Sequence, residues 1–278
     1  MNSVSNLTGA SLKAVAPRNG THLTLEDVME HACIDDDVHS CPTRVISLEN
    51  TLNGMIMPLD EIKRIVGFAK KHDIKLHCDG ARLWEAVVAG AGSLVEYCSL
   101  FDTVSLCFSK GLGAPIGSIL VGRAETIKHS RWIRKSIGGG LRQSGVIAAP
   151  ARVAVEETFI GGLLQDSHNR TREVARLWAE LGGRFIHPVQ TNMIWLDLKA
   201  AGCSVERFVE LGRAEGLRLM GNRVVIHYQI AQRAAEILPR LERVFRGVFE
   251  AKGEVAAGPG ESNMYKTGRR ADWVSSRL

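Results

Sequence analysis

Apolar positions along this chain alternate between two periods, and the alternation outlines a fold. Thr24 to Cys33 (TLEDVMEHAC) opens with Thr ahead of an acidic first turn, which is helix N-cap chemistry. Arg44 to Leu48 (RVISL) is a short β-branched run that exits into the polar Glu49-Asn50-Thr51. Pro58 to Lys71 places Ile62, Ile65, Val66 and Ala69 on one helical face, with proline at the start. Ile74 to Cys78 (IKLHC) reads as the next strand, followed by Asp79-Gly80-Ala81-Arg82 and a helix from about Leu83 to Ala89. Thr103 to Phe108 (TVSLCF) is a strand again, ended by Ser109-Lys110-Gly111.

Strands alternating with helices over short links predict an α/β domain with a largely parallel sheet. Ligands in such sheets bind outside the carboxyl ends of the strands, and Glu49, Asp79 and Lys110 fall at those ends. From about Pro150 the texture changes. One long amphipathic helix is predicted over Ala151 to Leu181, then a strand at Thr191 to Leu198 (TNMIWLDL) and a helix near Val205 to Glu215. A strand at Arg223 to Tyr228 and a last helix from about Arg233 to Glu250 complete a smaller α+β unit. Residues 251–278 are rich in Gly, Ser and charge without periodicity, which predicts a disordered tail. The expected division is therefore a larger domain over 1–150, a small domain with its linking helix over 151–250, and the tail.

Composition narrows the classes of function. The chain has 278 residues, of which 45% are hydrophobic and 23% charged, as in ordinary soluble domains. Its apolar runs are too short for a membrane span. The opening Met1-Asn2-Ser3-Val4-Ser5-Asn6 lacks a secretory pattern, so a cytoplasmic location is expected. The net charge of +5 is spread among acidic residues, and only three Tyr are present, so no nucleic-acid stripe is expected. An anionic small-molecule ligand accounts for a modest basic excess equally well. Six cysteines lack CxxC or zinc spacing and are expected as reduced thiols, with no metal.

Candidate chemistry gathers at the strand ends. Lys110, between an apolar strand and Gly111-Leu112-Gly113, is expected to be partly buried, a setting that prepares a lysine for Schiff-base chemistry. A strand-end lysine with its amine in water is the commoner case for this position alone. Asp79 suits a partner for a pyridinium nitrogen or, equally, an N-cap for the following helix. Gly111 to Gly117 (GLGAPIG) is no dinucleotide loop, because the strand-like SILVG follows it where a helix would be required.

Taken together, HCDGAR at 77–82, TVSLCFSKGLGAPIGSILVG at 103–122, GGGLRQSGVIAAP at 138–150, TNMIWLDL at 191–198 and SLENTLNG at 47–54 resemble the threonine aldolases. These are members of the aspartate-aminotransferase-fold, or fold-type I, pyridoxal-phosphate enzymes. The resemblance runs in order from about Gly9 to Gln229. It implies that Lys110 bonds pyridoxal 5'-phosphate, that Asp79 keeps the pyridinium nitrogen protonated, and that Arg82 lies near the cofactor and the substrate carboxylate. Arg223 corresponds to a second carboxylate-binding arginine. Lys135 and Arg142 correspond to basic residues reaching a neighbouring subunit's cofactor phosphate, in a homodimer or homotetramer. His39 falls where the family has a histidine near the substrate hydroxyl, although a solvated loop histidine fits that position as well.

The implied reaction is retro-aldol cleavage of threonine or allo-threonine to glycine and an aldehyde. A related β-eliminating lyase would share Lys110 and Asp79. One element of the family pattern has no match here: a segment ahead of the region of Gly9, with a phosphate-cradling Ser-Gly-Thr loop and a ring-stacking histidine. The large domain is thus expected to be partial and to hold the cofactor phosphate weakly. A catalytically impaired, truncated subunit paired with a full-length partner is the alternative. Ser276-Arg277-Leu278 resembles a peroxisomal address, so a peroxisomal share is an added expectation.

Overall fold

A computed structural model of the chain describes residues 2–35 and 37–250. The predicted tail and its terminal tripeptide lie outside the described residues. Two short helices lead in, α1 (Asn2–Thr8) and α2 (Leu25–His31). Thr24 caps α2 in a reciprocal box: its side chain accepts from the Asp27 N–H, and the Asp27 carboxylate accepts from the Thr24 N–H at 3.0 Å.

The central sheet follows. Strand β1 (Val45–Glu49), helix α3 (Leu59–Lys71), β2 (Lys75–Gly80), helices α4 (Leu83–Val88) and α5 (Leu94–Cys98), and β3 (Thr103–Cys107) come in turn. β1, β2 and β3 pair in parallel in that order. β4 (Ser118–Gly122) closes the sheet antiparallel to β3, so the predicted parallel α/β arrangement is found with one reversed edge. Ile62, Ile65, Val66 and Ala69 of α3 are buried, as their spacing requires, and pack with Ile46, Leu48, Leu76, Cys78 and Val104 of the sheet.

Two helical readings are corrected. Helix α6 (Ala124–Ser136) has no counterpart among the predicted elements. None of its residues is buried, so no core-facing stripe marks it in the sequence; Trp132 and Ile133 are exposed. The single long helix expected over 151–181 is three pieces: α7 (Gly145–Val153), a π-helical segment (Ala154–Ile160) and α8 (Leu163–Glu180). Gly162 has φ +87°, a left-handed conformation that an L side chain rarely adopts, and it resets the direction of the chain before α8.

The remainder consists of β5 (Met193–Trp195), α9 (Val205–Ala214), β6 (Arg223–Val225), α10 (Tyr228–Gln232) and α11 (Ala234–Glu250), with β5 and β6 antiparallel. Their core holds Trp178, Ile194, Leu196, Phe208 and Phe245. α8 belongs to both cores: Leu164 packs with the sheet's cluster, and Val174 and Trp178 further along pack with the second. Trp178 is fully buried, donates Nε1–H to the Arg184 carbonyl at 2.8 Å and meets Phe245 edge-on at 5.0 Å. Among the described residues no helix is long and apolar enough to cross a membrane.

All six cysteines are free thiols. Burial, with the Asp79 charge adding, pushes the Cys78 thiol up to about 12, so it stays protonated and inert at neutral pH. Cys41, by contrast, is exposed. In native protein an alkylating reagent is expected to label Cys41 first and Cys78 only on unfolding, read by peptide mass mapping; early label on Cys78 would contradict this core. Trp178→Ala should cost about 3–5 kcal/mol, measured by denaturant unfolding.

Candidate active site

Parallel pairing brings three polar strand exits to one edge of the sheet. Glu49 and Asp79 are register partners on β1 and β2, and Asp79 in turn faces Ser105 on β3. The Asn50 N–H donates to the Asp79 carbonyl at 3.0 Å, which continues the ladder past the end of β1. Asp79 is not an N-cap. Its Oδ1 accepts from the Ala81 N–H at 3.1 Å, and Arg82 occupies the N-cap position of α4. The Asp79 carboxylate itself is exposed in this chain.

Glu49 senses the whole cluster. Although Glu49 keeps an exposed surface, the protein packed around its carboxyl desolvates it and raises its pKa, the Asp79 charge raises it further, and Arg82 and Lys110 pull it back. Asp79, Arg82 and Lys110 are thereby each within electrostatic reach of Glu49. His77, on β2, shares a hydrogen bond of 2.9 Å between its Nδ1 and Thr103 Oγ1. Its pKa is lowered by burial against the opposing pull of Asp79, so the ring is neutral at pH 7.

Lys110 follows β3 on a loop clasped from the second half of the chain. Its carbonyl accepts from the Gly113 N–H at 2.9 Å and from His227 Nε2 at 3.0 Å. The side chain is exposed, which corrects the expectation of partial burial. The cleft it borders is open among the described residues. That cleft, of about 390 Å³, is lined by Arg82, Lys110, Gly111, Asn192, His227 and Gln229 among others. Its volume suits a small organic ligand.

Loop–strand contacts join the cleft's two halves. Thr191 Oγ1 donates to the Gly54 carbonyl at 2.7 Å, and Trp195 Nε1 donates to the Asn53 carbonyl at 2.9 Å. Arg223 pairs across β5–β6 with Trp195, and its guanidinium lies 5.8 Å from the indole centroid, a cation–π contact beside the cleft rather than in its lining. Lys135 and Arg142 are exposed, on α6 and on the loop before α7, and do not line the cleft. His39 is also exposed, on a turn where its N–H donates to Asp37 Oδ1 at 2.7 Å, and is likewise absent from the cleft wall.

Asn192, His227 and Gln229 are wall residues that the sequence reading does not anticipate. The run 223–228 reads as a strand, yet β6 stops at Val225 and His227 occupies the N-cap of α10. Asn192 precedes a hydrophobic strand whose apolar pattern masks it.

An amine, a carboxylate and a guanidinium thus lie at the carboxyl edge of the parallel strands, the edge at which α/β sheets bind their ligands. The chain belongs to the beta-eliminating lyase family, whose model matches residues 2–201. It is 55% identical to aldolase vrtJ of Penicillium aethiopicum over 83% of this chain and 60% of that protein. Alanine racemase TOXG of Cochliobolus carbonum is 46% identical, over 84% of this chain and 62% of its own length. The low-specificity L-threonine aldolase of Candida albicans is 45% identical over 84% and 63%. The chain thus spans about three-fifths of the length of these relatives. Among solved structures, the Leishmania major threonine aldolase superposes with a TM-score of 0.74 at 18% identity, covering 89% of this chain and 73% of that one. A Clostridium difficile 630 protein solved with pyridoxal phosphate bound gives 0.60 at 16%, over 88% and 68%.

A raised folded-state pKa means that stability linked to Glu49 is complete below the unfolded value and is lost as pH rises through the folded one. Glu49→Gln is therefore expected to raise the thermal midpoint at pH 7, with the gap closing below about pH 4. An equal gap at both pH values would contradict the crowding described here.

Proposed function

We propose that this chain carries the lysine-bearing part of a pyridoxal-phosphate lyase site that cleaves threonine or allo-threonine to glycine and an aldehyde. The observation that carries the reading is the meeting of Lys110, Asp79, Arg82 and Glu49 at one sheet edge. These residues fit the cofactor by donor chemistry. A lysine amine reacts with an aldehyde carbon, an aspartate stabilises a protonated ring nitrogen, and a guanidinium pairs with a carboxylate. When bound, pyridoxal phosphate supplies an electron sink for the pair released as the Cα–Cβ bond breaks.

The chain's own groups do the rest. Lys110 lines the cleft, where its amine would hold the cofactor's aldehyde carbon within reach of an incoming amino acid. Arg82 holds the substrate carboxylate in this reading, and the Arg223 guanidinium, steadied on Trp195, is the second cation for it. Asp79 keeps a proton on the ring nitrogen. His39 would take the β-hydroxyl proton only if its loop reached the cleft, which within this chain it does not. Lys135 and Arg142, both exposed, are assigned to the cofactor phosphate of a second copy in a homodimer or homotetramer.

Two relatives named for different chemistry, an aldolase and a racemase, share this scaffold at similar identity, so products decide the reaction. After incubation with pyridoxal phosphate and borohydride reduction, the label is expected on Lys110. Glycine and acetaldehyde are expected from L-threonine, and both label and products should vanish in Lys110→Ala. Arg82→Gln should raise KM for threonine roughly 10- to 150-fold, the loss of about 1.5–3 kcal/mol of charge-assisted hydrogen bonding. D-alanine formed from L-alanine with no threonine cleavage would transfer the reading to the racemase chemistry. Label on another lysine, with none on Lys110, would sink the site.

A further inference from the structure

Beneath the Lys110 loop lies a buried network to which the proposed reaction assigns no role. Glu85, one turn into α4 from Arg82, is 1% exposed. A carboxylate so buried must be paired, and both of its oxygens are engaged. Oε2 lies 2.7 Å from His168 Nε2 on α8, and Oε1 accepts from Asn192 Nδ2 at 3.0 Å. A third neighbour is backbone. A Cβ added at Gly111 would stand 1.9 Å from Oε1, so the carboxylate rests directly against the residue after Lys110.

Glu85 also fixes which way Asn192 faces. Glu85 Oε1 takes the hydrogen bond as acceptor, so the amide's NH2 points to Glu85 and its carbonyl away. That carbonyl oxygen, Oδ1, is buried and has no hydrogen-bond partner. Asn192 is at the same time a wall residue of the Lys110 cleft. Buried acceptors in folded proteins are almost always satisfied, and this one belongs to a side chain that packs into the wall of the cleft. The cleft's charged side chains, Arg82 and Lys110, are cations suited to a ligand's anionic groups. A ligand's own N–H or O–H needs an acceptor.

We propose that Asn192 Oδ1 is that acceptor, taking a hydrogen bond from the amine or the β-hydroxyl of an amino-acid ligand, and that Glu85, held by His168, is a positioning residue that presents it. The inference rests on the reading of this cleft as an amino-acid site and adds to it the group that recognises the ligand's polar hydrogen.

The network can be inverted without changing its shape. In Glu85→Gln the amide of Asn192 is free to turn, and in Asn192→Asp two carboxylates face each other. The double variant restores the pairing with donor and acceptor exchanged. The amide introduced at position 85 accepts from His168 through its carbonyl and donates its NH2 to the carboxylate introduced at position 192. The second oxygen of that carboxylate is again an acceptor. The full chain, loaded with pyridoxal phosphate, is titrated calorimetrically with L-alanine and L-serine, and thermal midpoints are recorded with and without cofactor. Each single variant is expected to weaken binding at least about tenfold, and the double to recover to within about threefold. Weakening for both amino acids assigns the amine as donor; weakening for L-serine alone assigns the hydroxyl. Single variants that lose thermal stability yet bind both amino acids normally would overturn the proposal, as would a double variant that regains its midpoint but not its affinity. Unsubstituted protein that binds neither amino acid would instead overturn the reading of the cleft, and this inference with it.

Discussion

Parallel strand pairing is the constraint on which the site depends. Parallel neighbours cannot be joined by a tight turn; each needs a crossover that returns the chain to its starting edge. α3 makes that return between β1 and β2, and α4 with α5 makes it between β2 and β3. All three strands then end on the same side. Backbone groups at such ends have left the ladder, so polar residues there cost little and are free for a ligand. The register Glu49–Asp79–Ser105 follows from this pairing alone. β4 runs the other way, and the Lys110 loop is the connection that allows the reversal.

The cleft also needs a second wall, and α8 provides it indirectly. This helix contributes Leu164 to one core and Val174 with Trp178 to the other. The two cores are thus joined by one rigid element rather than a loose linker. Hydrogen bonds then fix the small sheet against the large one, among them Thr191 to Gly54, Trp195 to Asn53, Asn192 to Glu85 and His227 to Lys110. Hydrogen bonds of this kind are directional, so they set a geometry that apolar packing would leave free to slide. Lys110 is held at its carbonyl by one half of the chain while its strand belongs to the other.

A scaffold of this kind does not choose its own reaction. Relatives of comparable identity carry the names aldolase and alanine racemase. Which bond at Cα is broken depends on how the surrounding groups hold the amino acid. In the site proposed for this chain those groups are Arg82, the residues around Asn192 and His227, and the Arg223–Trp195 pair.

The sequence by itself determined the elements whose residues face a core. α3, β2 and β3 are legible because burial imposes a period on their apolar residues, and α2 because Thr24 and Asp27 form a local box. Lys110, Asp79 and Arg82 are legible because they sit at fixed offsets from those strands. Helix α6 is not, since none of its faces is buried within this chain and no period is imposed on it. The break at Gly161-Gly162 escapes notice because amphipathic spacing continues on either side of it. Only the tertiary structure decided that Lys110 is exposed, that His39 stands off the cleft, and that Glu85, His168 and Asn192 meet. Those three residues are 83 and 107 positions from one another in the two hydrogen bonds they make. No local rule connects residues so far apart; the packing of α8 and β5 against α4 brings them within hydrogen-bonding distance.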